Sequence, residues 1–151
     1  NPGARLVIIR RGHMKKSLMK NAKKLGIEHA IFIRSSMSFE DLSQHFRSAD
    51  LVVYPSYYEG QGLIPLESLA SGTPVVTVDQ APLTEMVDMS VGDLFQSGDS
   101  DDLAKSVCRI LDQPQQRVEK AKAGRERVLS KYTYEHNSED FLRIYRSIVK
   151  N

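Results

Sequence analysis

Four short apolar runs alternate with segments of helical periodicity, and that alternation restricts the fold of this chain more than any other feature. The runs are Leu6-Val7-Ile8-Ile9, Ala30-Ile31-Phe32-Ile33, Leu51-Val52-Val53-Tyr54 and Pro74-Val75-Val76-Thr77-Val78. Each is largely β-branched and too short for a helix, so each reads as a buried strand. Gly92-Asp93-Leu94-Phe95 is a shorter fifth. Between the first two runs, Met14, Leu18, Ala22 and Leu25 recur at helical spacing with lysines on the other face, and Gly26 is a natural stop. Ser38 before Glu40, Asp41, Leu42 and Phe46 predicts a capped helix. Further helices are expected over residues 64–70, 84–87, 101–111, 115–130 and 135–149. The helix over 101–111 would turn Leu103, Val107, Ile110 and Leu111 inward.

Buried strands joined by helices imply an α/β fold, a three-layer, Rossmann-like parallel sheet of about five strands with helices on both faces. Ligands of such sheets sit outside the carboxyl ends of the strands. The loops after Ile9, Ile33, Tyr54 and Val78 are therefore where chemistry is expected.

Composition narrows the function classes. The 151 residues make one domain's worth of chain, and a net charge of +2 is too small for a nucleic-acid binder. No apolar run reaches the length of a membrane span. The single cysteine, Cys108, excludes a disulfide framework and a cysteine-rich zinc site, and points to a reducing, cytoplasmic setting. Cys108 itself reads as a small core residue of its helix. Charge is uneven: Arg5, Arg10, Arg11, Lys15, Lys16, Lys20, Lys23 and Lys24 precede the first acid. This stretch reads most simply as a solvated helix face, with attraction to phosphate or peripheral contact with an anionic membrane surface as the alternative.

The chemistry is concentrated in residues 55–76. A strand ends at Pro55, a glycine-bearing loop follows, and a helix begins with Pro65 in its first turn. Gly60 and Gly62 allow close backbone approach and unusual dihedrals. The free N–H groups and the positive helix end make an anion site suited to a pyrophosphate. Glu59 stands at the loop entry and Glu67 within the helix, placed to grip two parts of a polyhydroxyl ligand.

Glu59-Gly60-Gln61-Gly62-Leu63-Ile64-Pro65-Leu66-Glu67, followed by Ala70-Ser71-Gly72-Thr73-Pro74-Val75-Val76, resembles the signature of family 4 (group 1) retaining glycosyltransferases of the GT-B fold. Leu6 to Gly12, Ile31-Phe32, Ala49-Asp50-Leu51, Pro55-Ser56, Glu85 and the stretch from Phe141 to Tyr145 extend the likeness over nearly the whole chain.

The resemblance implies a nucleotide-sugar (donor) binding domain, the C-terminal half of that fold. It implies retaining transfer of a hexose-type sugar from a nucleotide diphosphate to a glycan, lipid or polysaccharide acceptor, without metal or other cofactor. Glu59 would be the catalytic carboxylate that contacts donor-sugar hydroxyls, with Gly60 and Gln61 beside it. Gly62, Leu63 and Ile64 would offer backbone N–H groups to the diphosphate, and Glu67 would bind the ribose. Arg34, Ser35, Ser36 and Met37 would pack around the base. Arg10, Arg11, Gly12 and His13 are candidate phosphate contacts.

Three positions depart from the pattern: Gln61 stands where the family commonly has an aromatic residue, and Arg10 and Arg34 where it usually has glycines. The family's donor domain begins one strand and one helix earlier. By that reading residues 1–151 form one donor domain truncated at its N-terminus and without the N-terminal acceptor domain. The isolated chain would then bind nucleotide weakly and transfer no sugar, and its first strand would pair directly with residues 51–54.

Two other readings remain at this level. One is a non-catalytic flavodoxin-like or receiver-like module, though Arg10 and Arg11 stand where a receiver needs acids. The other is a GT-B-type nucleotide-sugar epimerase with the same donor geometry. Asp99-Ser100-Asp101 resembles a metal-binding Asp-x-Asp but directly precedes an amphipathic helix, where a capping role is expected.

Overall fold

A computed structural model describes residues 3–9 and 12–149. The elements run β1 (Leu6–Ile9), α1 (Lys15–Lys24), a 3-10 turn (Glu28–Ala30), β2 (Ile31–Arg34), α2 (Phe39–Ser48), β3 (Val52–Tyr54), α3 (Leu63–Ala70), β4 (Val75–Val78), α4 (Leu83–Met86), β5 (Gly92–Phe95), α5 (Ser100–Leu111), α6 (Pro114–Lys131) and α7 (Tyr134–Val149). Strands and helices alternate as the apolar runs predict, and all strand pairs are parallel. The chain forms two compact units, Asn1–Leu42 and Ser43–Asn151, with α2 running across the boundary.

In the first unit β1 pairs with β2, Leu6 opposite Ile31 and Ile9 opposite Arg34. Ala22 is the buried residue of α1. Ser38 Oγ accepts the Asp41 N–H at 3.0 Å and donates to the Asp41 carboxylate at 2.8 Å, the predicted cap of α2. One expectation fails here: β1 is not buried, and Leu6, Val7 and Ile9 are all exposed. The five strands fall into a two-stranded sheet, β1-β2, in this unit and a three-stranded sheet, β3-β4-β5, in the other. Apolar composition made β1 a strand, but burial needs cover on both faces, and its own unit supplies one neighbouring strand.

The second unit holds the main core. Its sheet has the order β3-β4-β5, with Tyr54 opposite Thr77 and Thr77 opposite Leu94. Every residue of the central strand β4 is buried. Val75, Val76 and Val78 join Leu69, Leu83, Val87, Val91, Phe95, Ile110 and Val128 in one cluster. α6 crosses α3 closely at Gly124, where an added Cβ would lie 2.6 Å from Leu69 Cδ2. Asp99 caps α5 by accepting the N–H groups of Asp101 and Asp102, both at 2.9 Å, so the Asp-Ser-Asp motif is a helix start. Ile110 is buried, with Leu103 and Val107 packed against the core. Cys108 contradicts its expected role: it lies on the exposed face of α5. Ser106, one turn from Ile110, takes the buried position and donates to Leu94 O at 3.0 Å. α7 has no buried residue, and Phe141, Ile144, Tyr145 and Ile148 lie exposed along it. Among the described residues no helix is long and apolar enough to cross a membrane.

Candidate functional site

The site is built where β3 ends and α3 begins. Tyr54 is the last residue of β3, fixed to the sheet through Thr77, whose hydroxyl donates to Tyr54 O at 2.9 Å. Pro55 stops the strand, since it brings no N–H to a ladder. The following loop is folded on itself: Ser56 Oγ donates to Tyr58 O at 3.0 Å, and Gln80 Nε2 donates to Tyr57 O at 2.8 Å. Gln80 comes from the loop after β4, so the carboxyl ends of two adjacent strands are tied together here.

Glu59 closes the loop onto the strand. Its Oε2 accepts the Tyr54 hydroxyl, and its Oε1 accepts the N–H groups of Gly60 at 3.1 Å and Gln61 at 3.4 Å. The Tyr54 hydrogen bond, then the N–H groups of Gly62, Gln61 and Gly60, hold this carboxyl below the ordinary glutamate range against a smaller opposing effect of burial. Burial first, and the Glu59 carboxylate second, push the Tyr54 phenol up, so the phenol remains the donor.

Of the two glycines expected to adopt unusual dihedrals, one does. Gly62, at the N-cap of α3, has φ +76° and is buried, with Met86 and Leu83 around the space a side chain would fill. Gly60 has no positive φ and open space around it. The left-handed turn at Gly62 reverses the chain into α3. The N–H groups of Leu63 and Ile64, in its first turn, have no partner within the helix. Pro65 follows in the same turn and is buried. Glu67 is half-buried one turn further on, so the loop and helix carry a carboxylate on each side of the free N–H groups.

The remaining predicted residues are placed less tightly. Arg34 ends β2 in the first unit, followed by Ser35, Ser36 and Met37 before α2; the first three are exposed. Gly12 and His13 are exposed in the turn before α1, while Arg10 and Arg11 lie outside the described residues. Glu85 lies in α4, and its carbonyl accepts the Tyr132 hydroxyl at 2.8 Å. Sequence reasoning missed Tyr54 and Gln80 as site-building residues. Their signal was position: polar groups at the carboxyl ends of neighbouring strands.

Residues 1–127 match the protein family described as glycosyl transferases group 1. The chain belongs to the group 1 glycosyltransferases. Among relatives of this glycosyltransferase chain, a D-inositol 3-phosphate glycosyltransferase of Saccharomonospora viridis is 33% identical over 89% of the chain and 31% of the relative. An uncharacterised glycosyltransferase of Methanocaldococcus jannaschii is 29% identical over 95% of the chain and 37% of the relative. The chain thus spans about a third of the length of these relatives. Among solved structures, Anabaena HepE in complex with UDP superposes with a TM-score of 0.87 at 19% identity, covering 97% of the chain and 42% of that protein. That likeness establishes the GT-B glycosyltransferase fold. The flavodoxin-like and receiver-like alternative is not favoured by these matches.

Proposed function

We propose that residues 59–67 form the donor site of a retaining hexosyltransferase that uses a nucleotide diphosphate sugar. The observation that carries this reading is the Gly62 turn, which presents the unpartnered N–H groups of Leu63 and Ile64 between Glu59 and Glu67. A diphosphate placed there meets two backbone donors and the positive end of α3, which stabilise the charge that develops as the diphosphate leaves. Glu67 accepts ribose hydroxyls, and Glu59 accepts a hydroxyl of the transferred sugar. The sequence resemblance alone implies base contacts from Arg34, Ser35, Ser36 and Met37 and phosphate contacts from Arg10, Arg11, Gly12 and His13. The retaining outcome, the family 4 assignment, the lack of a cofactor and the separate acceptor domain follow from the sequence resemblance. UDP bound to the HepE relative supports the donor class.

Titration of UDP, GDP and ADP and their glucose or mannose derivatives into the 15N-labelled chain tests the reading. Amide shifts concentrated in residues 59–67 are expected with at least one pair. No shift there with any of the ligands would overturn it.

A further inference from the structure

The Glu59 carboxylate is held from two sides: Oε1 accepts the N–H groups of Gly60 and Gln61, the Gly62 N–H also bonds the carboxylate, and Oε2 accepts the Tyr54 hydroxyl. The carboxylate is therefore not an open fork for two hydroxyls, because its Oε1 edge is sealed by its own loop. Tyr54 decides how the Oε2 edge faces. It is a strand residue, its ring half-buried against the core, its carbonyl held by Thr77. Glu59, by contrast, stands on a loop whose own glycine neighbour has open space around it. A rigid donor on the sheet thus fixes an acceptor on the loop.

Resting on the donor-site reading above, we propose that Tyr54 is the positioning residue of that site: its hydroxyl, carried on a strand fixed through Thr77, holds Glu59 with its Oε2 edge set to receive a hydroxyl of the donor sugar. Tyr54 then governs recognition of the sugar and leaves recognition of the nucleotide to Glu67 and the α3 N–H groups. Loss of the phenol O–H frees the carboxylate to rotate toward solvent and costs affinity for the sugar-bearing donor only.

The test uses the 151-residue chain with UDP-glucose, GDP-mannose, UDP and GDP, wild type against Tyr54→Phe, Glu59→Ala and the double variant. Amide spectra establish that each variant is folded. Tyr54→Phe should weaken the sugar nucleotide about tenfold, the size expected for a hydrogen bond to a charged group, and change free nucleotide affinity less than about twofold. The double variant should bind no more weakly than Glu59→Ala alone, since Tyr54 acts through Glu59. In the wild type, the carboxyl carbon of Glu59 followed by 13C shift should titrate below the ordinary glutamate range, and Tyr54→Phe should return it toward that range. An ordinary wild-type titration overturns the proposal without any variant. Equal losses for sugar nucleotide and nucleotide, or full additivity in the double variant, would also overturn it. Tyr54→Phe binding like wild type while Glu59→Ala is impaired removes the role of Tyr54 and leaves the donor site intact. Wild type that binds none of the four ligands overturns the donor-site reading and this inference with it.

Discussion

The Met86 methyl carbon lies 2.6 Å from where a Cβ on Gly62 would stand, so the turn that opens α3 is roofed by the end of α4. Two costs would attend Gly62→Ala. The methionine is a flexible tip and can give way. The backbone cannot, because φ +76° places a side chain in the left-handed region, at about 1–2 kcal/mol. We expect a loss of about 2 kcal/mol in denaturant unfolding, with the amide signals of Leu63 and Ile64 displaced. Gly60→Ala, at a position with nothing within 4 Å, should change stability by less than about 0.5 kcal/mol. A costlier change at Gly60 than at Gly62 would remove the special role given to the Gly62 turn.

How much of this was legible in the sequence depended on whether a property is local. β4 reads correctly as a fully buried strand because an unbroken β-branched run bounded by turns has few other uses. The caps at Ser38 and Asp99 are local too, and both formed. β1 has the same apolar character, yet Leu6, Val7 and Ile9 are exposed, because an apolar run specifies a strand but not the cover that would bury it. Cys108 fails for a related reason: a helical face is recognisable, but its edge is not, and Ser106 took the inward place. At the site, the motif residues could be listed from their order. The bond from Tyr54 to Glu59 could not, since it exists only once the loop folds back on the strand it left.

The roles given to the two site carboxylates predict different losses. Glu67→Ala should weaken free nucleotide and sugar nucleotide alike, by about 1–3 kcal/mol, because both carry the ribose. Glu59→Ala should weaken mainly the sugar nucleotide. Calorimetric titration of both variants with UDP-glucose and UDP, or GDP-mannose and GDP, measures this. Parallel losses for both variants on both ligands would contradict the division of labour.

Asp93 and Arg109 form a bidentate pair of unequal burial. Arg109 Nε and Nη2 reach the Asp93 carboxylate at 2.8 and 3.0 Å, with the Asp93 side chain 2% exposed and that of Arg109 45%. Removal of either partner is therefore not equivalent. Asp93→Ala leaves a guanidinium that can turn to water, at about 1–2 kcal/mol. Arg109→Ala strands a buried carboxylate, at about 3 kcal/mol. Urea unfolding of the two variants should rank Arg109→Ala as the more damaging, and the reverse order would show that the pair is not what stabilises Asp93.

Asp88 gives the fold a distinct acid limb. Burial raises its pKa, but hydrogen bonds from Ser90 and Arg127 outweigh that and set it at about 2, against an ordinary 3.8. Ser90 Oγ donates at 2.6 Å and Arg127 Nη2 at 2.9 Å, while Arg127 Nη1 holds Met86 O at 3.0 Å. The folded carboxyl is more acidic than the unfolded one, so its stabilisation is complete above the unfolded value and fades as pH falls through the window from 3.8 toward 2. Asp88→Asn lacks this contribution at every pH. Thermal midpoints of wild type and Asp88→Asn should therefore differ by a constant amount above about pH 5 and converge between about pH 4 and pH 2. Arg127→Ala should show only a partial convergence in its difference from wild type, because Ser90 still bonds Asp88 and the lost bond to Met86 O does not titrate. A difference that persists undiminished to about pH 2 in both variants would mean that the Asp88 charge does not stabilise the folded chain.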